Sequence, residues 1–287
     1  MNIDAKTRLY LLIGNPVAHS LSPTLHNAAF KSLGMNSLYL AANVESAEVG
    51  AAVKGLKALS IGGANVTSPH KEAVLKYLDN LSTEAKLIKS VNTIVNNKGF
   101  LAGFTTDGSG FYRSLLESVD NYEPDWPVMI VGAGGAARAV AYAIANKAES
   151  EIYIVNRSVE KAKTLAEFLE TSSPLKKCKV VDMEEKSIEI ALNKCRLIIY
   201  SLPLDSPALI AALGNNPGIL SNSFLFDLRY NPARTKVMEA FERAGGRSFN
   251  GLGMLFWQAA EAFELFTGEQ APLENMKKAI ALQIESE

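Results

Sequence analysis

Lys71 ends the run Asn65-Val66-Thr67-Ser68-Pro69-His70-Lys71, which places an amide, a hydroxyl and an amine close together in sequence. Asn65 and Thr67 both donate and accept hydrogen bonds, whereas a lysine ammonium only donates. The apolar spacing of residues 72–78 predicts a helix that begins beside Lys71, and Pro69 suits its first turn. A cation at the positive end of a helix dipole is electrostatically disfavoured, which makes Lys71 a candidate for proton chemistry. The plainer reading is a solvated lysine on a first turn. Asp107, in Thr106-Asp107-Gly108, stands where a second helix opens and suits an N-cap. Its chemical reading is a partner for Lys71, since an Asp–Lys pair beside a polar substrate can hold a hydroxyl and move its proton.

Two further groups carry chemical potential. Ser22-Pro23 makes a good N-cap and first-turn pair for a helix running through Leu25, Ala28, Ala29 and Leu33. With Ser20 two residues earlier, the same helix start can also receive a small anion such as a carboxylate. Gly132-Ala133-Gly134-Gly135-Ala136-Ala137 follows the strand-like Val128-Met129-Ile130-Val131 and precedes an Ala-rich helix, the context a dinucleotide fingerprint requires. The next strand ends in Asn156-Arg157-Ser158, about 20 residues on, where an NAD-binding unit carries an acid. No carboxylate stands there, and Arg157 with Lys161 can grip a 2′-phosphate, which favours NADP over NAD.

The elements that would position these groups alternate between strand and helix along the chain. Residues 9–13, 37–43 and 61–66 read as strands and 46–59 as a helix with Val49, Val53 and Leu56 on one face. This alternation predicts an α/β fold with a largely parallel sheet, whose ligands sit beyond the carboxyl ends of strands. Ser20, Ser22, Asn65, Thr67 and Lys71 then share one sheet edge. Residues 91–95 read as a strand closed by a turn at 96–99, and 121–127 as a linker before a second domain. That domain carries strands at 128–131, 151–155, 196–200 and 224–227, with helices at 159–169 and 235–244. Helices from about 250 and over 272–284 close the chain, with Met254, Leu255, Ala259, Ala262, Phe263 and Phe266 as packing residues.

The 287 residues, 29 Lys and Arg against 30 Asp and Glu, and 48% hydrophobic content describe a chain with ample core and balanced charge. That balance argues against a nucleic-acid partner. No apolar run approaches a membrane span, and the polar N-terminus lacks a signal-peptide core. Cys178 and Cys195 are packing residues without metal spacing, and His19, His26 and His70 form no ligand set, so no metal is expected. A cytoplasmic location is expected; a homodimer is left open.

Taken together, Gly14-Asn15-Pro16 with His19-Ser20-Leu21-Ser22-Pro23, the Asn65–Lys71 run, Val91-Asn92-Thr93, Thr106-Asp107-Gly108, the glycine run, Asn156-Arg157-Ser158 and Gly251-Leu252-Gly253-Met254-Leu255 with Gln258 resemble the shikimate dehydrogenase family, its quinate/shikimate branch included. The resemblance spans almost the whole length. It implies two domains: an α/β substrate-binding domain over residues 1–111, completed by C-terminal helices 252–287, and a Rossmann-like domain over 112–251. It implies reversible reduction of 3-dehydroshikimate with NADPH, in chorismate and aromatic amino-acid biosynthesis. By position, Lys71 and Asp107 match the catalytic pair, and Ser20 and Ser22 the clamp on the substrate carboxylate. Asn65, Thr67, Asn92, Tyr230 and Gln258 match the partners of the ring hydroxyls. Gly132, Ala133, Gly134, Gly135 and Ala136 match the pyrophosphate loop. Asn156, Arg157, Ser158 and Lys161 match the adenosine-phosphate grip, and Leu228 and Gly251 positions near the nicotinamide. A quinate/shikimate dehydrogenase able to use NAD, and a family member that binds ligand with weakened catalysis, are the competing readings.

Three departures accompany the resemblance. Lys89-Ser90 precedes Val91 where the family has Gly-Ala, and Thr105 stands where it has Asn. Tyr200-Ser201-Leu202-Pro203-Leu204-Asp205 replaces an Asn-Ala-Thr-Ser/Pro loop expected beside the cofactor.

Overall fold

The apolar runs become strands in a computed structural model that describes residues 3–175, 177–215, 218 and 220–286. The first two residues of the polar N-terminal stretch lie outside these. The chain separates into two units, Met1–Gly110 with Leu255–Glu287, and Phe111–Met254.

In the first unit β1 (Arg8–Gly14), α1 (Ser22–Ser32), β2 (Ser37–Asn43), α2 (Val49–Ala58) and β3 (Gly63–Val66) alternate as their periodicity requires. They are followed by β4 (Asn80–Leu81), α3 (Thr83–Ile88), β5 (Thr93–Asn97), β6 (Phe100–Phe104) and the start of α4 (Asp107–Ser118). The sheet order is β2-β1-β3-β5-β6-β4. β1 pairs in parallel with β2 and β3, but β5 runs antiparallel to both β3 and β6. The parallel expectation is therefore broken at β5, and parallel pairing returns where β4 meets β6. For the β5–β6 pair the cause is local: Lys98 and Gly99 both adopt positive φ, 52° and 89°, the geometry of a tight hairpin turn, and Gly99 N–H donates to Asn96 Oδ1 at 2.8 Å. Because β5 is reversed, its first residues reach the same edge as the last residues of β3.

Alternation along β1 divides the apolar residues between the two faces of this sheet. Tyr10 and Leu12 join Phe30, Tyr39, Phe263 and Phe266, while Ile13 joins Val49, Val53 and Leu56. The C-terminal helices α10 (Leu252–Thr267) and α11 (Leu273–Ser286) supply much of the first cluster.

Three local expectations are corrected in this unit. Residues 72–78 form turns and a short 3-10 helix over Leu75–Tyr77 rather than an α-helix. The Lys71 carbonyl accepts from Val91 N–H at 2.9 Å, and His70 Nε2 lies 2.6 Å from the Val44 carbonyl, so neighbouring strands and loops hold this segment. No helix dipole acts on Lys71 from this segment, and its interest rests on its partners. Ser22 is the first residue of α1 rather than its cap; Leu21 takes the cap position without a side-chain bond. Asn65 lies within β3, not beyond it.

The second unit contains β7 (Val128–Val131), α5 (Gly135–Ala145), β8 (Ile152–Val155), α6 (Val159–Ser172), β9 (Cys178–Val181) and α7 (Glu185–Leu192). It continues with β10 (Leu197–Tyr200), α8 (Pro207–Gly214), β11 (Phe224–Asp227), α9 (Lys236–Arg243) and β12 (Arg247–Phe249). All pairings are parallel in the order β12-β11-β10-β7-β8-β9. Numbered from β7, this is the doubly wound order whose strand direction of travel reverses between the first and fourth strands, the place where dinucleotides bind. The strands β7, β8, β10 and β11 are buried throughout, as sheets covered by helices on both faces demand. Residues 121–127 are not a linker. Trp126 is buried, stacks on Phe224 at 5.5 Å and lies 3.7 Å beneath the Arg196 guanidinium, inside the core of this unit. Among the described residues no helix is long and apolar enough to cross a membrane.

His26 faces the first core rather than solvent. It is fully buried, its ring stacks on Tyr39 at 4.3 Å, and neither ring nitrogen has a hydrogen-bond partner. Burial drives its pKa from 6.5 down to about 3, against a smaller opposing pull from the Asn65 side chain. Above the unfolded value neither state is protonated there. Between 6.5 and about 3 the unfolded chain takes a proton that the folded chain refuses, so stability falls as pH drops. The loss approaches about 1.4 kcal/mol per pH unit. His26→Phe should flatten this slope in urea unfolding followed between neutral and acid pH; an unchanged slope would place its cause elsewhere.

Candidate functional site

Three strand ends of the first unit deliver the polar residues to one edge. The loop after β1 packs against that after β3: Asn15 N–H donates to the Ser68 carbonyl at 3.1 Å, and a Cβ on Gly14 would stand 2.2 Å from Thr67 Cγ2. Gly14 is therefore required for close approach. Val66 N–H donates to the Asn92 carbonyl at 2.8 Å, which locks the start of β5 beside the end of β3. Asp107 follows the end of β6.

Lys71 Nζ lies 2.5 Å from Asp107 Oδ2, with side-chain exposures of 18% and 5%. Asn92 Nδ2 donates to Asp107 Oδ1 at 2.9 Å and also faces Thr106 Oγ1 at 2.9 Å and Gln258 Oε1 at 3.2 Å. Asn92 Oδ1 accepts from Thr106 N–H at 2.8 Å and from Thr93 Oγ1 at 3.1 Å. Both oxygens of the aspartate are thus held, and the amide that holds one is itself anchored to backbone. Asn65 Oδ1 accepts from Tyr39 Oη at 2.8 Å, and its Nδ2 donates to the Asn92 carbonyl at 3.1 Å and Thr93 Oγ1 at 3.0 Å. At the start of α1, Ser22 N–H donates to Ser20 Oγ at 3.2 Å, which leaves the Ser20 hydroxyl its proton to donate.

Half-buried Glu84 on α3 is pushed above the ordinary carboxylate range by burial first, then by the Glu261 and Asp107 charges. Ser109 Oγ donates to Glu261 Oε2 at 2.5 Å. Glu84, Glu261 and Asp107 therefore lie close enough for their charges to act on one another.

The structure brings Lys71, Asp107, Asn65, Asn92 and Gln258 into one hydrogen-bonded cluster and sets Thr67 and the Ser20–Ser22 loop on neighbouring strand ends. Tyr230 belongs to the second unit. Sequence reasoning missed Tyr39, Thr93 and Thr106 as members of the network. Thr93 and Thr106 adjoin Asn92 and Asp107, a signal that was available; Tyr39 reads only as one more apolar strand residue. Two departures flank the same cluster. Lys89 adopts φ 56°, the left-handed conformation that glycine takes without strain, as the C-cap of α3. Ser90 Oγ and Thr105 Oγ1 are buried without hydrogen-bond partners.

In the second unit Gly132 has φ 119°, and a Cβ there would stand 2.3 Å from Ser201 Oγ. Ser201 N–H and Oγ both meet the Val131 carbonyl, at 2.9 and 3.1 Å, so the loop after β10 closes over the end of β7. A Cβ on Gly134 would meet nothing within 4 Å, which leaves the N-terminus of α5 open to a pyrophosphate. Arg157, Ser158 and Lys161 are exposed after β8, while the Asn156 amide turns to the Ser158 carbonyl at 2.9 Å. Ser158 Oγ caps α6 by accepting from Lys161 N–H. These groups fit a dinucleotide that carries a 2′-phosphate. A Cβ on Gly251 would stand 2.1 Å from the Leu228 carbonyl oxygen, so glycine keeps that corner tight.

The atypical loop after β10 is held by Arg229. Its guanidinium binds Asp205 at 2.8 Å and the fully buried Asp227 at 2.6 Å, and lies 5.0 Å from the Tyr200 ring centroid. Tyr200 Oη donates to the Leu204 carbonyl at 2.6 Å, and Thr235 Oγ1 donates to Asp227 Oδ2 at 2.8 Å.

The sequence patterns described as Shikimate dehydrogenase substrate binding domain, Shikimate / quinate 5-dehydrogenase and Shikimate 5'-dehydrogenase C-terminal domain match residues 12–94, 117–210 and 251–281. A protein of Methanopyrus kandleri named Shikimate dehydrogenase (NADP(+)) is 43% identical over 286 residues, 98% of this chain and 97% of its own. A crystal structure of a shikimate dehydrogenase in complex with NADP+ superposes with TM-score 0.85 at 37% identity, covering 99% of this chain and 98% of that one. A shikimate 5-dehydrogenase of Listeria monocytogenes, solved with shikimate and NAD, gives TM-score 0.83 at 32% identity and covers 98% of each chain.

Arg229→Ala should leave Asp227 buried with a charge that the Thr235 hydroxyl and the backbone N–H of residue 229 cannot offset. Chemical denaturation should show a loss of about 3 kcal/mol, with Arg229→Lys recovering part of it.

Proposed function

The chain belongs to the shikimate dehydrogenase family, and we propose that it reduces 3-dehydroshikimate reversibly to shikimate with NADPH, within aromatic amino-acid biosynthesis. The observation that carries this reading is the Lys71–Asp107 pair at 2.5 Å, backed by Asn92. The first unit takes the substrate and the second the cofactor. Bound NADPH supplies the hydride that reduces the ring ketone. The chain's own residues must then deliver a proton to the oxygen that becomes a hydroxyl.

Lys71 is the nitrogen donor suited to that step. Both Asn65 and Asn92 spend their N–H groups on protein acceptors, and Gln258 Nε2 gives one of its two to the Leu255 carbonyl at 3.0 Å. Lys71 carries three N–H donors and gives one to Asp107. In the forward direction Lys71 donates its proton to the ketone oxygen. In the reverse direction the free amine accepts the shikimate hydroxyl proton, with Asp107 orienting that hydroxyl. Ser20 and Ser22 at the N-terminus of α1 take the substrate carboxylate through their hydroxyls, favoured by the helix dipole. Thr67, Asn65, Tyr230 and Gln258 take the ring hydroxyls, and Asn92 does so only by exchanging one of its protein partners for substrate. Arg157 and Lys161 take the 2′-phosphate, the Gly132–Ala136 loop the pyrophosphate, and Leu228 and Gly251 the nicotinamide side. The free thiols of Cys178 and Cys195 suit a reducing cytoplasm.

Purified protein assayed with shikimate and quinate, each against NADP and NAD, tests the proposal. Shikimate with NADP should give the highest kcat/KM. A preference for quinate with NAD would replace the reading by a quinate dehydrogenase, and shikimate binding without turnover under either cofactor by a ligand-binding protein. Arg157→Ala should raise KM for NADP by about tenfold and leave KM for NAD nearly unchanged.

A further inference from the structure

The polar cluster has a direction that its backbone anchors impose. The Asn92 carbonyl only accepts, so the Asn65 group facing it at 3.1 Å must be Nδ2, which turns Oδ1 toward Tyr39. Thr106 N–H only donates, so the Asn92 atom it meets at 2.8 Å must be Oδ1. Thr93 Oγ1 stands between these amides. It accepts from Asn65 Nδ2 at 3.0 Å and has to donate to Asn92 Oδ1 at 3.1 Å. Tyr39 Oη, 2.8 Å from an acceptor oxygen, has to donate as well. Hydrogen bonds therefore run one way from Tyr39 through Asn65, Thr93 and Asn92 to Asp107, where Lys71 meets the other carboxylate oxygen.

We infer that Tyr39 is a positioning residue for the proposed reaction, its hydroxyl fixing Asn65 as a contact that can only accept, and so can hold a substrate hydroxyl but not a carbonyl. Both Asn65 N–H groups are committed to protein, and Tyr39 uses one of the two Oδ1 lone pairs. One acceptor position remains for ligand. Tyr39 is itself fixed independently of Asn65. Its backbone N–H and carbonyl are bound by the Asn27 amide at 2.8 and 2.9 Å, and its ring lies against the uncharged His26 ring at 4.3 Å with 6° between the planes. Such clamping aims the hydroxyl. Asn65, Thr93 and Tyr39 are all buried, so water does not replace a lost donor readily.

The inference rests on the shikimate dehydrogenase reading, and wild-type protein assayed in parallel separates the two: absence of shikimate turnover there defeats the reading itself. Given wild-type turnover, Tyr39→Phe and Thr93→Val each remove one link while keeping shape. Each should lower kcat/KM for shikimate by about tenfold, mainly through KM, with KM for NADP unchanged. The double variant should lose little more than the worse single one, because both interrupt the same chain of hydrogen bonds. Circular dichroism at the assay temperature establishes that the variants are folded. Wild-type kcat/KM in Tyr39→Phe, fully additive losses, or an equal rise in KM for NADP would overturn the inference. If Tyr39→Phe does not fold, the same KM split in Thr93→Val supports it and its absence overturns it.

Discussion

The Asp107 carboxylate is 5% exposed, and a charge so far removed from water has to be met by protein. Lys71 meets it at one oxygen and Asn92 at the other. This requirement organises the first unit. Lys71 is carried by the loop after β3, Asn92 precedes β5, and Asp107 follows β6, so three segments must finish at one edge in a fixed register. The reversed strand β5 is what makes that possible, since a parallel strand would take Asn92 to the opposite edge. Gln258, from a helix remote in sequence, closes the network and ties the C-terminal segment to the site.

The second unit contains a buried carboxylate that is met differently. Asp227 is fully buried and takes the Arg229 guanidinium, the Arg229 N–H and the Thr235 hydroxyl, which leaves it saturated. A saturated, rigid pair of this kind supports neighbouring backbone, here Leu228 and the loop after β10. The Lys71–Asp107 pair keeps spare donors and partial access, which suits proton transfer. The contrast between the two pairs lies in what remains unspent after pairing.

Much of this was legible in the residues. β7 (Val128–Val131) and β11 (Phe224–Asp227) fall where their apolar runs place them, because a strand buried on both faces leaves an uninterrupted signature. The pair at Lys71 and Asp107 was reachable by asking which polar residues follow strands. Residues 72–78 were misread because apolar spacing reports which side chains are buried and not which backbone groups find helical partners. β9, β12, α7 and α8 were missed; β9 and β12 are short, partly exposed edge strands with little periodicity. Trp126, set among prolines and acids, reads as linker, yet it fills the core against Phe224. Tyr39 reaches Asn65 across 26 positions through one hydroxyl, a contact that no local pattern encodes.

The central claim is that Lys71 moves the proton while other groups hold the substrate. The most direct test is Lys71→Ala, with kcat measured by NADPH formation from shikimate and Kd for shikimate by calorimetry on the same preparation. The prediction is a fall in kcat of about a hundredfold or more, with Kd within about threefold of wild type. Near-normal turnover, or a loss of activity explained wholly by lost binding, would contradict it.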